Sequence, residues 1–300
     1  MLRPSVENLP PASDADRIRL LEGDYPNPRV WRHVDERRAT ILREVAASQP
    51  RSARSDMLDL ACRLRFGCDG GPPTLASYSY TLEQGLRLSG AFLQLAEREA
   101  WPISFRIYPP GLEFPADELE EVEFDYICDC LRRTFNRVAG AGAGGYVGAV
   151  VRGEYNVVND SYRLYFRGLA YGELADSLRW INEGDQYEFA PWAGRYSPPF
   201  LRVSWRRIKR DNASAFRRLV PTDWQCIYEA PHERELVRQS LWSPPPPRRL
   251  AQLLIFWDRL TLRDITLLMR LRAASDGLRL TAKGRGKSLS KPAAIRKAAA

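Results

Sequence analysis

Three hundred residues hold one large domain or two small ones, with enough length for a proper core. Two histidines, His33 and His232, nearly exclude any site built from several imidazoles, and five scattered cysteines exclude a disulfide framework and fit a reducing compartment. The net charge of +8 favours acidic partners, nucleic acid first, and much of it is local: between Asp276 and Ala300 seven Lys or Arg meet one Asp.

The opening MLRPSVENLPP has no apolar run, and no stretch reaches the roughly 18 apolar residues of a membrane span, so a soluble, cytoplasmic chain without membrane contact is expected. Residues 1–30, rich in Pro, Asp and Arg, read as a flexible arm. Residues 31–100 form a helical region, with helices at Val34 to Ala47, Asp56 to Phe66 after a Ser55 cap, and Leu82 to Glu99. Cys62 and Cys68 have the spacing of half a zinc site, but no second half follows, so they read as ordinary thiols.

From Trp101 the pattern becomes mixed. Ile103 to Tyr108 alternates as a strand that Pro109-Pro110 stops, and Asp117 to Val138 follows the helical period with an acidic start and a basic end. The acidic cluster Glu118, Glu120, Glu121 and Glu123 is the solvated first turn of that helix, and Cys128 and Cys130 point to different faces of it. Gly140 to Gly145 satisfies GxGxxG as a string. It follows a helix and opens a strand, the reverse of a dinucleotide site, so it reads as a connector.

Tyr146 to Gly172 reads as one long β-hairpin around Asn159-Asp160, with Tyr162, Leu164 and Phe166 on one face and Arg163, Tyr165 and Arg167 on the other. A helix over 173–181 and a strand over 200–208 follow. Strand, helix, strand, strand, helix, strand is an α+β, ferredoxin-like order, so residues 101–240 are expected to form that domain. Helices are also expected near Asn212 to Leu219 and through Thr222 to Gln239. After the rigid SPPPP break, two packed helices are expected in the 241–275 segment, the second opened by Thr261-x-x-Asp264, and a disordered basic tail over 276–300. The densest internal basic run is Trp205, Arg206, Arg207, Lys209 and Arg210, suited to phosphate or to a solvated strand edge.

The order of parts resembles the rolling-circle replication initiators of plasmids and mobile elements, whose nicking domain is a ferredoxin-like sheet of the HUH class. The family's His-hydrophobic-His metal pair falls on Tyr165-Phe166-Arg167-Gly168, and its Tyr-x-x-Lys nucleophile motif on Cys226-Ile227-Tyr228-Glu229. The Cys62 to Cys68 spacing and the stretch RRLAQLLIFWDRLTLRDITLLMRLR are similar to further parts of that group, so the resemblance covers about residues 57 to 275. An arginine offers five donors and no acceptor, so Arg167 binds phosphate rather than a cation, and Tyr165 offers a stacking surface for a base.

The resemblance therefore implies a DNA-binding protein of replication-initiator descent, without nickase activity and without a cofactor. It would hold single-stranded or origin-like DNA with Arg163, Tyr165, Arg167, Arg206, Arg207, Lys209, Arg210, Lys283, Arg285 and Lys287, and it would meet the replication machinery. Two alternatives stand beside it. One is a nickase using Tyr228 as nucleophile with Mg or Mn held by Glu154 or another carboxylate such as Glu113; the other is a protein-interaction module of a mobile element.

Overall fold

The computed structural model describes residues 6, 9–21, 28–66, 73–109, 112–140, 142–183, 202–210, 212–220, 224–232, 235–241 and 243–284. Four helices come first: α1 (Asp14–Leu21), α2 (Pro28–Ala46), α3 (Arg51–Phe66) and α4 (Tyr78–Arg98). The expected arm thus contains a helix, whose Leu20 and Leu21 are fully buried. Ser77 caps α4 by accepting from the Tyr80 N–H, so the helix begins at Tyr78, four residues ahead of the expected Leu82.

β1 (Ile103–Tyr108) and β2 (Glu113–Pro115) follow, then a 3₁₀ turn (Ala116–Glu121) and α5 (Phe124–Ala139). The single helix read over 117–138 is broken at Val122 and Glu123, which are extended. The hairpin β3 (Tyr146–Asn156) and β4 (Ser161–Tyr171) turns at Asp160, whose positive φ of 48° suits an Asp in a tight turn. Next come α6 (Glu173–Glu183), β5 (Arg202–Arg207), a 3₁₀ turn (Ala213–Leu219), β6 (Gln225–His232), β7 (Glu235–Ser240), α7 (Pro247–Asp258), β8 (Thr266–Met269), β9 (Leu271–Ala274) and β10 (Gly277–Leu280).

Two expected helices are strands instead. Within the helix expected over 222–239, Gln225–His232 and Glu235–Ser240 form the paired strands β6 and β7, because Pro231 cannot sit inside a helix while Cys226, Ile227 and Tyr228 alternate in a strand. Residues after Thr261 form β8 and β9, where Leu267 and Met269 enter the core by pairing with β3 and Arg270, at φ 61°, breaks the run. Packing overrides helix propensity at the second place. The expected tail begins with β10, paired to β9, and residues 285–300 lie outside the described residues.

The fold is α+β around one mixed sheet with the order β5-β1-β4-β3-β6-β7; β2 adds to β4 and β8 to β3. Pairs β5-β1, β1-β4 and β4-β3 are all antiparallel, and β3-β6 is parallel. Alternation along the strands gives two unlike faces. On the helix face, Phe105 meets Phe135 of α5 at 5.9 Å, and Tyr162 meets Trp224 at 5.3 Å, which in turn meets Trp257 of α7 at 6.0 Å. The other face, called here the arginine face, is covered at one end by α4, where Phe92 lies 6.0 Å from Tyr146. One continuous apolar cluster joins residues from Val6 to Leu280. No described helix is long and apolar enough to cross a membrane.

Candidate nucleic-acid interface

Register assembles the arginine face. Arg106 of β1 is paired directly with Arg167 of β4, and on its other side with Ser204 of β5. Ser104 pairs with Leu169 and with Arg206. Ser104, Arg106, Arg167, Ser204 and Arg206 therefore open into one polar cleft of about 210 Å³, lined also by Phe105 and Trp205. Arg106 and Arg167 are half-buried and Arg206 is exposed. Two guanidiniums placed directly across a ladder repel each other, an arrangement an anion would relieve.

Arg106 is aimed by its neighbours. It donates to the Tyr108 hydroxyl at 3.2 Å, and its guanidinium lies 5.3 Å from the Tyr165 ring centre. Tyr108 in turn donates to Glu154 Oε1 at 3.1 Å, which fixes the hydroxyl that Arg106 uses.

The three β4 residues read from sequence as DNA contacts meet different fates. Arg167 lines the cleft. Tyr165 is only 5 % exposed and stacks on Tyr108 at 4.8 Å, so its ring face is taken by protein and cannot receive a base as expected. Arg163 is 8 % exposed and donates to Glu113 from Nε at 2.9 Å and from a terminal nitrogen. It lies opposite Glu113 of β2 on one side and Glu154 of β3 on the other, so a guanidinium stands between the two carboxylates considered as metal ligands.

Of the basic run, Arg206, Arg207, Lys209 and Arg210 are exposed. Lys283 is exposed near the end of the described chain; Arg285 and Lys287 lie outside the described residues. Tyr228 is 42 % exposed, but it is on a strand, and its alternation with Ile227, the partner of Asn156, puts it on the helix face with Cys226 and Tyr155. The sheet thus separates Tyr228 from Arg167, with β3 between their strands. Among the described residues no group of three His, Cys, Asp or Glu comes together as a metal site. Cys62 is an exposed free thiol, Cys128, Cys130 and Cys226 are buried, and Cys68 is outside the described residues. In Gly140 to Gly145, Gly144 N–H donates to Glu173 Oε2 at 2.6 Å, so a carboxylate of the protein occupies that donor.

Sequence reasoning missed Ser104, Arg106, Arg152 and Ser204, and it counted Trp205 only as part of a basic run. Trp205 is 46 % exposed on edge strand β5, where its pairing with Phe105 turns its ring to the helix face, across the sheet edge from the arginine cleft. The alternation of ISFRIY did carry a signal, since Ser104 and Arg106 alternate with Ile103, Phe105 and Ile107. On β1 to β4 the arginine face holds four guanidiniums, Arg106, Arg152, Arg163 and Arg167, against two carboxylates, Glu113 and Glu154.

No family model, curated protein or solved structure matches this chain.

Proposed function

We propose that this chain binds single-stranded DNA along the β5 edge of its sheet, with phosphates at Arg106, Arg167 and Arg206 on one face and a base, carried round that edge, on Trp205 of the other. The observation that carries the reading is the direct pairing of Arg106 with Arg167 in a cleft that also offers Arg206, Ser104 and Ser204. Arginine forks match phosphate oxygens, the exposed Ser204 hydroxyl adds a donor while that of Ser104 is given to the Arg206 carbonyl, and an exposed indole stacks on any base. Arg207, Lys209 and Arg210 extend the positive surface along the chain after β5.

We read the β1-α5-β3-β4-α6-β5 unit as ferredoxin-like, on the support of its strand order β5-β1-β4-β3 with every neighbour antiparallel. In this reading the protein is a cytoplasmic DNA-binding relative of replication initiators, and nicking is not its use of the fold. The guanidinium of Arg163 between Glu113 and Glu154, and the placement of Tyr228 on the other face, argue against metal and nucleophile chemistry there.

The test is fluorescence anisotropy with a labelled oligonucleotide over a range of salt. Log affinity should fall linearly with log salt, and Arg106→Ala with Arg167→Ala should lower the slope by about one for each phosphate contact removed. Tyr228→Phe should bind as the parent does. Affinity indifferent to salt and to both arginines would sink the reading.

A further inference from the structure

Arg152 points to a second anion site on the same face. It is 6 % exposed, yet among the described residues no carboxylate, carbonyl or ring pairs with it. Its guanidinium is not sealed in, since its nitrogens are not among the buried polar atoms left without a partner. Arg152 is paired across the ladder with Tyr165, and its diagonal neighbours on β4 are Arg163 and Arg167. The nearest carboxylate along its own strand, Glu154, accepts from Tyr108 and lies opposite Arg163. A guanidinium held almost out of water beside two others, with no counter-charge of its own, is costly in the free protein.

We propose that Arg152 anchors a phosphate monoester, the terminal phosphate of a nucleotide or of a DNA strand end, as an inner subsite beside the Arg106–Arg167 cleft. The chemistry follows from access. With Arg152 only 6 % exposed, little of its fork meets solvent, which suits a small dianion carried on one substituent, whereas an internal phosphodiester carries chain on both sides and needs an open groove. The planar fork takes two oxygens of such a dianion at once, and no serine or lysine would do so. Assignment to a strand end rests on the single-stranded-DNA reading; assignment to a phosphate monoester does not.

Two measurements separate these. Inorganic phosphate and a nucleoside 5′-monophosphate are titrated against thermal unfolding of the full chain, for Arg152, Arg152→Met and Arg152→Lys in a common parent that carries Arg106→Ala and Arg167→Ala, so that the neighbouring cleft does not take the probe. Both ligands should raise the Tm of the parent, leave Arg152→Met unmoved, and raise Arg152→Lys less. Without ligand, Arg152→Met should melt above the parent, because an uncompensated buried charge has been removed; a merely structural arginine would give the opposite sign. Oligonucleotides with a 5′-phosphate, a 3′-phosphate or neither are then compared by anisotropy. One phosphorylated end should bind roughly tenfold tighter or more, with the advantage lost in Arg152→Met. Phosphate protection that persists in Arg152→Met, or no protection at all, overturns the site. Arg152-dependent protection without preference for any phosphorylated end overturns the strand-end source and leaves the free nucleotide. Strand binding that fails for the unphosphorylated oligonucleotide counts against the β5-edge reading alone.

Discussion

Arg163 is the direct cross-strand partner of Glu113 and donates to it from Nε at 2.9 Å, while Ser161 Oγ donates to the other carboxylate oxygen at 2.8 Å. The pair is buried, with the Glu113 side chain wholly out of water. Removing one member breaks the buried pair. Glu113→Gln should therefore lower stability by about 3–5 kcal/mol in urea unfolding. Replacing both by apolar residues should recover much of that loss. A Glu113→Gln protein as stable as the parent would show that the pair is not the clasp described.

Two glycines of β3 admit aromatic rings where any side chain would collide. A Cβ at Gly148 would lie 1.9 Å from Phe92, and one at Gly153 would lie 2.3 Å from Trp224. Gly148→Ala and Gly153→Ala should each lower the unfolding midpoint, by about 1–3 kcal/mol of overpacking. Circular dichroism melts of the two variants check this.

Trp205 separates binding from folding. Its ring is 46 % exposed on an edge strand, so Trp205→Ala should leave the melting temperature near that of the parent. Anisotropy should show single-strand affinity falling by about 1–3 kcal/mol, the worth of one stacked base. Unchanged affinity would remove the base contact and leave only the phosphate cleft.

The hairpin turn makes stability depend on acid. Arg249 donates to Asp160 through Nε at 2.8 Å and through a terminal nitrogen, and Tyr155 donates to the same carboxylate at 2.6 Å. The Arg249 hydrogen bond, then that from Tyr155, hold Asp160 below its ordinary carboxylate value against the opposing effect of burial. A carboxylate depressed in the folded state binds its proton less readily there than in the unfolded chain. Its contribution is present above the unfolded value and is lost as pH falls through the folded one. Denaturation series from about pH 5 to pH 2 should fall less steeply in Asp160→Asn. Burial and the same hydrogen bond raise Tyr155, to about 12, so it stays a donor throughout that range.

The hairpin was the most legible part of the sequence, because strict alternation and an Asn-Asp turn specify it locally; its observed span, Tyr146 to Tyr171, matches the expectation closely. The partners of its arginines were not legible. Alternation shows that Arg163, Tyr165 and Arg167 share a face, but only strand pairing decides that Glu113 clasps the first, Tyr108 covers the second and Arg106 opposes the third. β8 escaped for a related reason: its Leu267, Leu268 and Met269 favour helix in isolation, and what makes them a strand is pairing with β3; β6 was legible, since Pro231 bars a helix there.

The ring of Phe92 seated over Gly148 has a consequence for modularity. Phe92 belongs to α4 and Gly148 to a central strand, while Trp257 of α7 backs Trp224 from the far end of the chain. Helices before and after the sheet therefore supply material to both of its faces, and a piece cut at residues 101 and 240 would carry an empty ring-sized slot at Gly148 and a half-uncovered indole at Trp224. The flanking helices are not appendages that recombination could exchange at will: sheet and helices are heritable only as a set.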